Sequence, residues 1–242
     1  MDRVLVIVPA YNESANIANV IHSLKEENAS WDIVVVNDGS RDDTGDIARS
    51  TRKAAVVDLP CNLGIGGAVQ TGFRFARSRG YDVAFQFDGD GQHKASEAPK
   101  ILQPIRDGRC DVVIGSRFRC KHKGWKSTFS RRIGIKIFEI VNMILLRQRI
   151  TDNTSGFRAY NRRAIAFLAE TYPTDYPEPE AVVLLGRNGF RIREVQVEMQ
   201  ERQGGASSIS GFRPIYYIIK VMLAVIFSAL RPRVIHHERL KK

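Results

Sequence analysis

Apolar residues in the first half of the chain come in short β-branched runs, separated by longer stretches with helical spacing. Val4–Val8, Ile33–Asn37, Ala55–Leu59, Val83–Phe87 and Val112–Gly115 read as strands. Between them, Glu13–Glu26, Asp43–Arg52, Gly66–Arg79 and Ala95–Arg106 read as helices. This alternation predicts an α/β domain with a mostly parallel central sheet and helices on both faces. No repeat or low-complexity linker interrupts it, so one catalytic-sized domain is expected to about residue 210.

The pattern changes after Arg132. Ile133–Leu146 predicts a strongly apolar helix, Gly156–Tyr160 a short strand and Arg162–Glu170 a helix. The proline-rich stretch Tyr172–Glu180 predicts a rigid turn into a helix over Ala181–Asn188, and Ile192–Val197 predicts a last strand. A polar, glycine-hinged loop follows, and residues 211–242 form a separate C-terminal segment with an apolar helix over Ile215–Leu230. At about 1.5 Å per residue that helix is about 24 Å long, short of a ~30 Å hydrocarbon core. Lys220 interrupts it, so an interfacial or partner-docking helix is expected rather than a spanning one; a buried core helix would show the same pattern.

Composition narrows the class. With 242 residues, 43% hydrophobic and 26% charged, the chain can bury a full core. Cys61, Cys110 and Cys120 lack metal-ligand spacing, which predicts reduced thiols in a cytosolic setting. The strand beginning at Val4 leads to the expectation that no signal peptide precedes it. The net charge of +11 is unevenly spread: residues 1–110 hold 13 Lys and Arg against 15 Asp and Glu, residues 111–242 hold 24 against 11. Arg117, Arg119, Lys121, Lys123, Lys126, Arg131 and Arg132 form a dense basic stretch that suits a solvated face, a nucleic-acid footprint or a seat for anionic lipid. Aromatic interleaving is thin and no nucleic-acid motif is present, so nucleic acid is not an expected partner.

Polar chemistry gathers where the predicted strands end, which is where open α/β sheets bind ligands. The fourth strand runs into Asp88-Gly89-Asp90-Gly91-Gln92-His93. Two carboxylates on a glycine-hinged loop suit a hard divalent cation, Mg²⁺ or Mn²⁺, although an ordinary Asp-Gly turn uses the same residues. The first strand ends in Pro9, Ala10, Tyr11, Asn12 and Glu13, and the second in Asp38-Gly39-Ser40. A carboxylate at Asp38 suits a nucleobase N–H or ribose hydroxyls; a turn or cap would use it equally well. Asn62, Gly64, Gly66 and Gly67 precede a helix in a spacing that is neither a dinucleotide fingerprint nor a Walker loop.

Taken in order, these strand ends resemble the family 2 glycosyltransferases with the nucleotide-sugar-binding GT-A fold. Gly115–Phe118, Thr151–Tyr160 and the loop Glu201–Ile209 extend the likeness to the subgroup of dolichol-phosphate mannose synthases and bacterial polyprenyl-phosphate glycosyltransferases. Two positions depart from it: Asn37 stands where many relatives carry Asp, and Cys61 precedes Asn62 where a basic residue is frequent.

The resemblance implies an inverting, metal-dependent enzyme moving GlcNAc, glucose or mannose from a UDP- or GDP-sugar to polyprenyl (undecaprenyl) phosphate, at the cytoplasmic face of the membrane. Pro9, Tyr11, Glu13 and Asp38 would hold the nucleoside, with Asn62 and Gly64 close to the nucleotide sugar. Asp88, Asp90 and Gln92 would surround the diphosphate and its Mg²⁺ or Mn²⁺, and Arg117, Arg131, Ser155, Arg158 and Arg202 would meet the acceptor phosphate. A small membrane protein as partner and a homo-oligomer are both compatible with it. A lipid monophosphate is largely ionised near pH 7, its second pKa being about 6, so it needs cationic positioning more than a base. Asp152 is therefore expected to orient rather than abstract a proton, and Glu178 and Glu180 are alternative bases. A saccharide acceptor, which would need such a base, and an inactive membrane-docked scaffold are the competing readings.

Overall fold

Each early strand alternates its side chains between two apolar layers, and that alternation sets the architecture. The computed structural model describes residues 2–117, 143, 150–199, 220–225 and 227. Among them β1 (Val4–Ala10), β2 (Asp32–Asn37), β3 (Ala55–Asp58), β4 (Val83–Gln86), β5 (Val112–Ser116), β6 (Arg158–Asn161) and β7 (Ile192–Gln196) form one sheet in the order β3-β2-β1-β4-β6-β5-β7. Leu5, Ile7, Val34 and Val36 face one layer with α3 (Gly64–Ser78), α5 (Arg162–Thr171) and α6 (Pro177–Arg187). Val4, Val6, Val8, Ile33 and Val35 face the other with α1 (Ile17–Glu27), α2 (Thr44–Ser50) and α4 (Ala98–Arg106). Both faces are thus covered, as a mostly parallel sheet requires.

The sheet is mixed in one place. β6 runs antiparallel to β4 and β5, while the other pairings are parallel. Its N-terminal end therefore lies beside the C-terminal ends of β4 and β5, and the loop before β6 joins the cavity edge.

β1 extends two residues beyond the predicted Val8, and its proline explains what happens there. Ile7 accepts the N–H of Phe87 while Ala10 accepts that of Asp38, so odd-numbered residues of β1 face β4 and even-numbered ones face β2. Pro9 is odd and has no N–H. The ladder to β4 stops while that to β2 continues to Ala10 opposite Asn37, and a crevice opens between β1 and β4.

Other boundaries move for local reasons. α1 begins at Ile17 rather than Glu13, because Asn12, Glu13 and Ser14 donate their N–H groups to Ser40, Thr44 and Asp42. The predicted helix from Ala95 opens as a 3-10 turn over Ala95–Glu97 before α4. α6 starts at Pro177, not Ala181: proline suits the first helical turn, so the proline-rich stretch is partly helix and carries Glu178 and Glu180 in that turn. The predicted helix over Ile133–Leu146 lies outside the described residues except for Met143, as do the loop Glu201–Ile209 and most of Ile215–Leu230. Residues 220–225 are helical, with Val221 and Val225 buried against Val183 of α6, and Leu223 and Phe227 exposed.

Asp111 ties the far half of the sheet together. Its carboxylate accepts the N–H of Arg191 at 2.8 Å and the amide of Asn161 at 2.9 Å, linking the starts of β5 and β7 to the end of β6. Burial pushes this carboxyl up, but these donors and the Arg191 guanidinium outweigh it and hold it below the ordinary value of 3.8. Asp111→Ala is expected to cost about 1–3 kcal/mol in urea unfolding at neutral pH. Because the folded-state value is the lower one, the deficit should be full above 3.8 and should close as the pH falls below it.

Candidate active site

The crevice at the strand ends is a cavity of about 590 Å³. Neighbouring strands lie about 4.8 Å apart, so the sheet order fixes the sequence of groups across it. Asp38 stands at the end of β2, Pro9 and Tyr11 at the end of β1, Asp88 and Asp90 after β4, and Thr154 and Gly156 before β6. Glu13, Asn62 and Gly64 line it on the side of Asp38 and Tyr11, and Glu178 with Pro179 closes the opposite side.

Asp38 is buried and accepts the N–H of Leu63 at 2.7 Å, which pins the start of α3 to the end of β2. Asn62 reinforces that start by accepting the N–H of Gly64 at 3.0 Å. Asn37, the departure noted above, points elsewhere: its amide donates to Asp58 at 2.8 Å. Glu13 accepts the Asn16 amide at 3.0 Å. Tyr11 is exposed at the mouth.

The carboxylate loop is held from below. His93 is buried, stacks on Phe157 and accepts the N–H of Asp88 through Nδ1 at 3.1 Å. Nε2 lies 3.5 Å from the Asp88 carboxylate. Burial holds this imidazole below its ordinary value, against the pull of Asp88 and Asp90, so it is a neutral acceptor. The Gln86 amide donates to Asp88 at 3.1 Å. Gly91 takes φ +74°, which turns the chain back toward His93. Nothing in the sequence reading gave His93 or Gln86 a role, although His93 closes the Asp-Gly motif itself.

Two hard-oxygen carboxylates facing one cavity fit Mg²⁺ or Mn²⁺, with the remaining positions left for phosphate oxygens and water. Among the described residues no group of three His, Cys, Asp or Glu side chains could hold a metal ion; Asp88 and Asp90 are a pair that line the cavity. Gln92, expected beside the diphosphate and its metal, hydrogen-bonds to Asp90. Its backbone N–H and amide both donate to Asp90, at 3.0 and 2.6 Å, and it is not among the cavity's lining residues. It orients a carboxylate.

The expected acceptor-phosphate residues are divided. Arg117 grips Asp152 through Nε and one terminal nitrogen, both at 2.8 Å, and reaches Thr154 at 2.9 Å. Asp152 is fully buried; burial alone would raise its carboxyl, but the guanidinium outweighs it and holds it below the usual range. Its N–H donates to Glu194 at 2.7 Å. Sealed and paired, Asp152 positions Arg117. Arg158 does not meet the expectation of a phosphate contact: it is fully buried and donates to the carbonyls of Ser155, Glu178 and Asn153 at 2.6, 2.9 and 2.8 Å. Ser155 is likewise buried beneath the loop. Arg131 and Arg202 lie outside the described residues.

Glu178, left open as a base or a turn residue, lines the cavity. Burial pushes its carboxyl up, Arg158 partly offsets this, and Asp88 adds to it. Glu180 is instead buried and accepts the N–H of Tyr176 at 3.2 Å.

Gly156 leaves no room beside the Asp88 carboxylate. A Cβ there would sit 2.8 Å from Asp88 Oδ2 and from the Gln86 amide nitrogen, and 2.9 Å from Asp88 Oδ1. Gly156→Ala is therefore expected to turn Asp88 away and to weaken Mn²⁺ binding about 10–100-fold, the usual effect of disturbing a ligand's support. Titration calorimetry with the nucleoside diphosphate present, beside a circular-dichroism melt showing a retained fold, checks this.

Residues 5–168 match the family described as Glycosyl transferase family 2. The chain is 28% identical over 242 residues to the UDP-N-acetylglucosamine–dolichyl-phosphate N-acetylglucosaminyltransferase of Methanococcus voltae, covering 91% of this chain and 96% of that one. It is 35% identical over 217 residues to the undecaprenyl-phosphate mannosyltransferase of Micrococcus luteus, covering 86% and 88%. Among solved structures, glucosyl-3-phosphoglycerate synthase from Mycobacterium tuberculosis, in complex with Mn²⁺, UDP-glucose and phosphoglyceric acid, superposes with a TM-score of 0.71 at 17% identity, over 96% of this chain and 81% of that one. That likeness shares the α/β fold. Matched over most of its length and related in sequence to these enzymes, the chain belongs to glycosyl transferase family 2 and is a glycosyltransferase.

Proposed function

We propose that this glycosyltransferase moves a sugar from a UDP- or GDP-sugar to polyprenyl phosphate, with inversion and with Mg²⁺ or Mn²⁺, at the cytoplasmic membrane face. The observation that carries the reading is the order of groups across the cavity. A hydrogen-bonding carboxylate stands at one end, a carboxylate pair in the middle, and room for a further group lies beyond it. That order suits a nucleoside, a cation-bound diphosphate and a sugar. The relatives from Methanococcus voltae and Micrococcus luteus are named for dolichyl-phosphate and undecaprenyl-phosphate acceptors, which supports the acceptor class.

The residues divide the work by charge. A bound divalent cation supplies charge neutralisation to the departing diphosphate. Asp38, Pro9, Tyr11 and Glu13 orient the nucleoside, while Asn62 and Gly64 bring the start of α3 against it. Arg117, aimed by the buried Asp152, is the described cation set to position the acceptor phosphate at the rim near Thr154; Arg131 and Arg202 complete the set in our reading. An ionised phosphate needs no proton removed, which agrees with a site whose Asp152 is sealed from solvent. A saccharide acceptor would need a base, for which Glu178 on the cavity wall would be the candidate.

Residues 1–210 make up the catalytic unit in this reading, and 211–242 the membrane-facing segment. Among the described residues no helix is long and apolar enough to cross a membrane. Peripheral attachment fits the exposed Leu223 and Phe227, which follow each other one turn apart, and the basic excess of the second half. A small membrane protein or a second copy of the chain would dock on the same segment.

Purified protein given undecaprenyl phosphate, Mg²⁺ or Mn²⁺ and radiolabelled UDP- and GDP-sugars should place label in the organic phase from one donor. Chelation should abolish it, and Asp90→Asn should lower it at least 100-fold with little change in melting temperature; label appearing only on added saccharides would overturn the acceptor. Leu223→Glu with Phe227→Glu should cut co-sedimentation with anionic vesicles severalfold while nucleotide binding is unchanged.

A further inference from the structure

The sugar end of the cavity carries a carboxylate that the reaction itself does not use. From the proposed reading, the nucleoside lies along β2 and β1 and the diphosphate lies against Asp88 and Asp90. The group bonded to the distal phosphate must then fall on the β6 side, where Thr154, Gly156, Glu178 and Pro179 form the wall. Thr154 is engaged by Arg117, and Gly156 and Pro179 offer no polar side chain. Glu178 is the remaining polar side chain on that wall, and among the described residues it makes no side-chain hydrogen bond to another residue.

Its placement is rigid. Pro177 and Pro179, both buried, fix the backbone on either side, and the fully buried Arg158 holds the Glu178 carbonyl at 2.9 Å. The same guanidinium holds the carbonyls of Asn153 and Ser155, so both sides of this pocket end move as one piece. Beneath it the hydroxyls of Ser155, Tyr160 and Tyr172 are buried without protein partners, which marks a polar rather than an apolar floor.

We infer that Glu178 is the sugar-reading residue of the donor site, accepting hydrogen bonds from adjacent hydroxyls of a neutral hexose. A carboxylate has two acceptor oxygens and no donor when ionised, so it matches a pair of vicinal hydroxyls. The same charge, close to Asp88, repels a uronic acid or any other anionic sugar. The donor class is therefore a nucleotide-linked neutral hexose, with or without an acetamido group, and not a nucleotide uronate. A site built around hydroxyl recognition discriminates strongly when the pairing is removed.

Calorimetry on wild type, Glu178→Gln and Glu178→Ala tests this with UDP, GDP, UDP-glucose, UDP-GlcNAc, GDP-mannose and UDP-glucuronate, each with Mn²⁺. In wild type one neutral nucleotide-sugar should bind at least tenfold tighter than UDP-glucuronate. In Glu178→Ala that sugar should lose at least tenfold while the matching nucleoside diphosphate stays within twofold, and Glu178→Gln should narrow the discrimination against the uronate. Equal losses for nucleotide and nucleotide-sugar, or no loss in either, overturn the assignment. So does turnover that collapses in Glu178→Gln with both affinities unchanged, since that would make Glu178 a proton acceptor. Wild type that binds neither UDP nor GDP defeats the donor-site reading itself and this inference with it.

Discussion

A guanidinium with no exposure to water holds the β6 side of this site in place. Taking an arginine out of solvent costs several kcal/mol unless its charge is faced and its donors are filled. Arg158 meets both conditions: its donors reach the carbonyls of Asn153, Ser155 and Glu178, and its charge acts on Asp152 and Glu178. It can do so because β6 is reversed in the sheet, which starts that strand at the cavity edge. From this one side chain follow the position of Thr154, the approach of Gly156 to Asp88, and the placing of Glu178 opposite the carboxylate loop.

The rest of the site is built in the same way, by side chains whose task is to aim others. Asp152 aims Arg117, Gln92 aims Asp90, and His93 with Gln86 aims Asp88. Pro9 acts by omission, because a missing N–H ends one ladder and lets the crevice form. Groups that face the cavity are few; His93, Asp152 and Arg158 around them are buried and hydrogen-bonded, which keeps the facing ones from reorganising when charge moves between them.

Much of this was legible in the chain. The runs Val4–Val8, Ile33–Asn37 and Val83–Phe87 are β-branched and aromatic enough that no helix competes, and both their order and the polar groups at their ends follow. Asp38, Asp88 and Asp90 were readable for that reason. Long-range aim was not. Arg158, read as a phosphate ligand, sits in a motif whose other members do border the site, and nothing local shows that its donors meet carbonyls 20 residues away in Glu178. The helix start at Pro177 was hidden in a stretch whose prolines favour a turn and a first helical turn alike.

By itself, then, the sequence determined the α/β class, the strand ends that carry chemistry and the uneven charge of the two halves, because these depend on periodicity and composition alone. Only the tertiary structure decided which charged groups face the cavity and which are sealed beneath it. Arg117, Asp152, Arg158 and Glu178 are alike in being ionisable residues near loops, and their roles differ through burial and partners contributed by β5, β6, β7 and α6. Burial of a charge is a property of everything packed around it, and no window of the sequence contains that information.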